Sequence, residues 1–197
     1  MKQELVRFLV GSKKETFSIH RDLLDANEFD WAWAGDCGYM QTDNTGQYPE
    51  LDFVSPCVFR GFIQWLYCGQ LPTEDMIKSF AYPEVWDNGQ EDESLACSMA
   101  HELYILGCGF GMLSLQRKTM AYLTNTYESA QQVPSLAWVE FIDRFDKEEL
   151  WLVYVDLYAK FYAKNDAGRD FWILHRDFLN LPEKFREEVL KRVGEGN

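Results

Sequence analysis

Cys97 and His101 are the residues best suited to metal chemistry. They are four residues apart in a segment that predicts a helix, so their side chains share one helix face, and Cys108 follows soon afterwards. A zinc site needs further ligands, but the sequence contains no Cys-x-x-Cys and no His-x-x-x-His pair. Because a cysteine on such a helix usually packs as a small apolar residue, we expect no metal and no cofactor here.

Other patterns resemble catalytic motifs but lack essential parts. The glycine-rich run 107–111 follows a predicted helix, and it has neither G-x-G-x-x-G spacing nor the lysine of a P-loop. His-Arg-Asp occurs at His20 and at His175 without the Asn, the Gly-rich loop or the Asp-Phe-Gly of a kinase. We therefore expect no catalytic residue. A small acidic enzyme, with scattered residues around His20 or His101 forming its site, is a remote alternative.

Composition narrows the classes of partner. The chain has 197 residues with 19 Lys or Arg and 32 Asp or Glu, so its formal net charge is −13, and 47% of its residues are hydrophobic. Such a chain can bury enough apolar surface to fold, whereas its acidity argues against a nucleic-acid partner. The run 103–113 is far shorter than the ~20 apolar residues of a membrane span, so no membrane partner is expected. Five cysteines without an apolar leader favour a reducing, cytoplasmic or nuclear location.

The elements that would position these residues are strands first and helices afterwards. Residues 5–10 and 16–19 alternate polar and apolar side chains around a turn at 12–15, and 48–51 is a short strand candidate. Ser55 and Pro56 begin a clear helix, which Gly69 ends.

The rest of the chain is predicted to be helical apart from one insertion. Residues 70–94 are predicted to be an irregular, solvated segment, and 107–111 a break between helices at about 95–106 and 112–123. Further helices are predicted after Pro134, Asp146 and Pro182. Strands confined to the N-terminal part indicate an α+β fold.

Two tryptophans on a short predicted helix, Trp31 and Trp33, admit two interpretations. Large aromatic side chains usually pack in the core, and we expect this of at least one of them. Tryptophan is also a frequent anchor of protein interfaces, so the pair is a candidate docking patch.

Five motifs, in order along the chain, resemble those of BTB/POZ domains. Residues 8–11 and 15–24 are similar to the first hairpin and helix, and 27–29 takes the place of the Ser-Pro-x-Phe segment. Residues 51–71 look like the strand, helix and Tyr-x-Gly segment, and 101–107 with 112–116 resemble the final helix pair. The similarity covers residues 1–125 and is closest to BTB proteins of filamentous fungi, which often continue into helices like 126–197.

The resemblance implies an elongin C-like α+β fold at 1–125, in which a small N-terminal sheet packs with helices, followed by an all-helical extension at 126–197. It also implies a non-enzymatic protein–protein interaction module with protein partners, homo-oligomers and, in many members, a cullin ubiquitin ligase for which the domain is an adaptor. The candidate contact residues are the loop around Tyr39, Met40 and Gln41, the start of the helix at Phe53, Val54 and Phe59, and the pair Trp31 and Trp33.

Two departures from the family pattern bear on these expectations. The hairpin begins almost at Met1, without the family's swapped N-terminal helix and strand ahead of it. Gln41 stands where many cullin binders carry a glutamate, which removes a charged contact. A self-associating scaffold without cullin binding therefore remains the alternative.

Overall fold

A computed structural model describes residues 4–36, 40–42, 48–80, 94–144, 148–164 and 178–195. The chain divides into two compact units, Met1–Ala121 and Tyr122–Asn197. All the strands of the described residues lie in the first unit, and helices make up most of the remainder. The predicted α+β class is therefore confirmed.

A small sheet organises the first unit. Its strands are β1 (Leu5–Val10), β2 (Glu15–His20), β3 (Gln41–Thr42) and β4 (Pro49–Leu51), in the spatial order β2-β1-β4-β3. Strand β1 runs antiparallel to β2 and parallel to β4, while β3 runs antiparallel to β4. The predicted hairpin and third strand are confirmed. Strand β3 was not predicted, because two residues in a polar loop carry no alternation signal.

The β1–β2 turn depends on Gly11. Its φ is 72°, a left-handed conformation, and its N–H donates to the carbonyl of Leu51 over 3.0 Å. A Cβ at this position would lie 3.0 Å from Cδ of Pro56. Gly11 therefore lets the hairpin turn sit against the β4–α3 connection.

Gly11→Ala is expected to lower the free energy of unfolding by about 1–2 kcal/mol, because alanine is strained at a positive φ. Gly35→Ala is the matched control, since a Cβ there meets nothing within 4 Å. Gly35 lies in a helix, where alanine should be neutral or stabilising. Urea denaturation of both variants checks this, and equal effects would contradict the strained turn.

Five helices of the described residues lie in the first unit: α1 (Arg21–Ala26), α2 (Trp31–Asp36), α3 (Pro56–Cys68), α4 (Glu74–Ser79) and α5 (Leu95–Gly109). Helix α6 (Leu113–Ala130) begins in the first unit and ends in the second. Helix α3 begins and ends where the sequence predicts: Ser55 is its N-cap, Pro56 its first residue, and Gly69 closes it in the left-handed conformation with φ 67°.

Two predictions about this region are wrong. The segment predicted to be irregular contains α4, because Ile77 is fully buried and anchors it; residues 81–93 lie outside the described residues. The glycines at 107 and 109 do not break α5, which continues through Gly109 and turns at Gly111, where φ is 68°. The missing side chain at 107 instead allows close approach, since a Cβ there would lie 3.2 Å from Cγ of Gln116.

Aromatic rings form the core of the first unit. Phe8 of β1 is fully buried, with ring centroids 5.4 Å from Phe59 and 6.2 Å from Phe29. Phe110 lies 4.7 Å from Phe29 and 5.5 Å from Phe62. The cluster thereby joins β1, α3 and the end of α5, and it holds the sheet against the helices.

The second unit contains the end of α6 with α7 (Leu136–Arg144), α8 (Glu148–Lys164) and α9 (Glu183–Glu195). The ring of Phe185 packs edge-on against Trp151 and Tyr158 of α8, and the Tyr158 hydroxyl donates to the carbonyl of Pro134 over 2.6 Å. The domain boundary expected at 125/126 falls in the same helix, α6, as the boundary between the units. None of the helices in the described ranges is long and apolar enough to cross a bilayer.

Candidate interaction surface

Phe53 is the most exposed large apolar side chain among the predicted contact residues. It lies between β4 and α3 with 87% of its surface accessible. Its neighbour Val54 is buried and donates its N–H to the carbonyl of Leu51 over 3.2 Å. Phe53 is therefore an aromatic side chain that faces outward from a short connection whose next residue is anchored in the core.

Val54 and Phe59 are corrections to the predicted contact surface. Both are buried, and the Phe59 ring packs within 5.4 Å of Phe8 and 5.1 Å of Phe17. Burial removes both side chains from contact with a partner in this fold. Of the three residues predicted around the start of α3, the structure places only Phe53 at the surface.

Two of the three residues predicted at the α2–β3 loop, Met40 and Gln41, lie among the described residues. Met40 is partly buried, and its N–H donates to the carbonyl of Ala34 over 2.9 Å. Gln41 is exposed and pairs with Glu50 across the β3–β4 ladder. Tyr39 lies outside the described residues. Strand β4 thus pairs with β3 at Glu50 and leads into Phe53, so one short strand links both predicted contact segments.

Trp31 mostly covers the core. Its indole stacks on Phe8 at 6.4 Å and lies 4.5 Å from Phe29, while the Arg21 guanidinium lies 5.3 Å above it. Its indole N–H donates to Asp25 over 3.1 Å. Trp31 is partly buried and is not among the buried core residues, so the expectation that at least one of the two tryptophans packs in the core is met only by its contact with these rings.

Trp33 is half exposed, with 50% of its surface accessible. Its indole N–H donates to the carbonyl of Cys108 over 2.9 Å, and the Asp30 carboxylate accepts its backbone N–H. Its orientation is therefore fixed by hydrogen bonds at both ends, while one side of the ring is open to a partner.

An ion cluster lies on the strand and connection that precede Phe53. Lys14 of the hairpin turn donates to Glu50 over 2.7 Å and also to Asp52. The hydrogen bond to Asp52, followed by the one to Glu50, raises the pKa of the Lys14 ammonium. Neither Lys14 nor Asp52 was predicted to take part in a site. Lys14 lies 36 residues from Glu50 and 38 residues from Asp52 in the sequence, so no local pattern indicates that they pair.

The residues considered for chemistry have structural partners. His101 is 1% exposed and its Nδ1 lies 2.9 Å from the carbonyl oxygen of Cys97 within the same helix, to which it donates. Burial lowers the pKa of His101 to about 3. His20 lies at the surface beside the Tyr67 hydroxyl, 2.7 Å from its Nδ1, and His175 lies outside the described residues.

Cysteines and acidic groups do not assemble into a metal centre in the part of the chain that the structure describes, where no three His, Cys, Asp or Glu side chains come together as ligands. Cys57 of α3 is buried, and burial raises the pKa of its thiol. A thiol with a raised pKa is a poorer nucleophile at neutral pH than an ordinary one.

No model of a known family matches the chain, and no curated protein does either. The resemblance to BTB/POZ domains therefore stays a prediction from the sequence.

Proposed function

We propose that the chain is a non-enzymatic protein–protein interaction module of the BTB/POZ type, and that it acts in the cytoplasm or nucleus as an adaptor for a cullin ubiquitin ligase. The observation that carries the proposal is the exposure of Phe53, which is 87% accessible on the connection before α3. Aromatic side chains of this kind supply much of the free energy of binding in protein interfaces.

The residues on either side of Phe53 hold its backbone in place, which supports a binding role. The ion cluster of Lys14 with Glu50 and Asp52 lies on the strand and connection that precede Phe53, and Val54 anchors the residue that follows it. Because Asp52 pairs with Lys14 and Val54 is buried, a partner that covers Phe53 has to immobilise its side chain but not the connection that carries it.

Gln41 supplies a polar neighbour to this aromatic anchor. It is exposed on β3, and its cross-strand partner Glu50 is already paired with Lys14. A polar rim around an apolar anchor is the usual anatomy of an interface. Because Gln41 is uncharged, we expect the apolar contact to carry most of the affinity.

A titration of purified cullins against the full-length chain tests the adaptor role. Phe53→Ala is expected to weaken the dissociation constant about 30-fold, since removing a central aromatic anchor costs about 2 kcal/mol. The double substitution Tyr39→Ala/Met40→Ala should weaken it as well. Leu190→Ala, at an exposed leucine of the second unit, is the matched control and should leave the affinity unchanged.

The outcomes separate the adaptor from the scaffold. If no cullin binds the wild-type chain, the adaptor role is wrong. If light scattering then shows an oligomer that Phe53→Ala dissociates, the same side chain serves self-association, which is the second candidate function. A strict monomer at high concentration would exclude the scaffold.

A further inference from the structure

Strand β2 forms the edge of the sheet opposite to β3. In the order β2-β1-β4-β3, the six-residue β2 has a hydrogen-bonded strand on one side only, among the residues that the structure describes. Edge strands of this length can accept a further strand from another chain. This edge is separate from the surface that includes Phe53 and β3.

The backbone hydrogen bonds of β2 show which of its N–H and C=O groups point toward β1 and which point away from the sheet. The N–H of Arg21 donates to the carbonyl of Glu4 over 2.9 Å, whereas the N–H of His20 is directed to the Tyr67 hydroxyl at 3.4 Å. The backbone groups of successive residues in a strand point to opposite edges, so the N–H and C=O groups of Thr16 and Ser18 point away from β1, like the N–H of His20. Thr16 and Ser18 are exposed, and these backbone groups have no partner within the described residues.

Two cations near this edge have no acidic partner among the described residues. Residues 5–21 contain four Lys or Arg, of which Lys14 pairs with Glu50 and Asp52, and Arg21 pairs with Glu4 and Asp25, so that Arg7 and Lys13 remain. Arg7 lies opposite Ser18 in the β1–β2 ladder, and Lys13 lies in the turn. Both are exposed and form no ion pair with another described residue.

The inner side of the edge is apolar at its centre. Phe17 is half-buried against Phe59, and the Arg60 guanidinium lies 5.6 Å above its ring. Arg60 also holds the Glu15 carboxylate, which neutralises the one acidic side chain of the edge. An added strand would therefore meet Arg7 and Lys13 on its outer face, and on its inner face the Phe17 ring with the Arg60 guanidinium above it and paired with Glu15.

We propose that β2 binds an extended peptide whose residues alternate between acidic and apolar side chains. The peptide adds as a fifth strand through the backbone groups of Thr16 and Ser18. Its acidic side chains lie on the outer face near Arg7 and Lys13, and its apolar side chains lie beside Phe17. A second copy of this chain fits less well, since two hairpins would bring Arg7 and Lys13 of both copies together.

Fluorescence anisotropy with a labelled peptide of about nine alternating glutamates and valines tests the proposal. The full chain should bind it and should bind the lysine–valine counterpart at least tenfold more weakly. Ser18→Pro removes an outward N–H that the β1–β2 ladder does not use, and we expect it to weaken binding at least tenfold. Ser18→Ala keeps that N–H and should change affinity less than twofold.

A second variant keeps the test decisive if Ser18→Pro folds poorly. Arg7→Glu/Lys13→Glu lies on the exposed face and should shift the preference to the lysine–valine peptide. Failure of the wild-type chain to bind either peptide would overturn the proposal, as would equal affinities in wild type and both variants. Self-association that Ser18→Pro abolishes would also overturn it, because a second copy would then be the occupant.

The outcome is independent of the cullin titration. Phe53→Ala should leave peptide binding unchanged, and Arg7→Glu/Lys13→Glu should leave cullin binding unchanged. Either proposal can therefore fail without the other.

Discussion

The free energy of unfolding is expected to fall by about 4 kcal/mol through His101 alone as the pH drops from 6.5 to 3. The imidazole is fully buried and its pKa is lowered to about 3 from 6.5. The unfolded chain, with an ordinary histidine pKa, binds this proton more readily than the folded chain across that window. Stability therefore increases with pH between the two values, at about 1.4 kcal/mol for each pH unit.

Urea titrations of wild type and His101→Gln at several pH values check this expectation. Glutamine is close to histidine in size and does not titrate. The difference in stability between the two chains should be constant above pH 6.5 and should shrink or reverse toward pH 3. His20→Gln is the control at a surface histidine. Curves for wild type and His101→Gln that stay parallel from pH 7 to pH 3 would contradict the buried neutral imidazole.

Phe8→Ala is expected to lower the free energy of unfolding of the first unit by about 3–5 kcal/mol. Phe8 has no accessible surface and contacts Phe29, Trp31 and Phe59. Its removal would leave a cavity among rings from α2, α3 and the α1–α2 connection, and β1 cannot move to fill it because it pairs on both sides. Chemical denaturation followed by tryptophan fluorescence gives the measurement.

Phe53→Ala is the matched substitution at the surface. Its side chain is 87% exposed, so its removal should change stability by less than about 0.5 kcal/mol. The same variant is expected to lose cullin affinity. A large loss of stability in Phe53→Ala, or a small one in Phe8→Ala, would contradict the assignment of one phenylalanine to contact and the other to packing.

Local signals explain what could be predicted. Helix α3 carries its start and its end in neighbouring residues, with Ser55 and Pro56 at one end and Gly69 at the other. The hairpin was predicted because polar and apolar residues alternate on both sides of a short turn. In both cases the deciding interactions lie within a few residues, so a sequence window contains them.

Errors arose where one distant contact outweighed the local composition. Helix α4 lies among prolines and acidic residues, and buried Ile77 is its anchor. The glycine at 107 suggested a helix break, but in the structure it makes room for Gln116 on the next helix. Neither contact can be read from a neighbouring residue.

The sequence by itself determined the α+β class, the hairpin, the ends of α3 and the acidic character of the chain, because these depend on composition and on near neighbours. Only the tertiary structure decided which of the apolar residues near α3 faces a partner. Phe53, Val54 and Phe59 are all apolar and close together in sequence, yet Val54 and Phe59 turn into the core while Phe53 points away from it. The direction of each side chain follows from how the β4–α3 connection packs against the hairpin turn, and that packing joins residues about 40 positions apart.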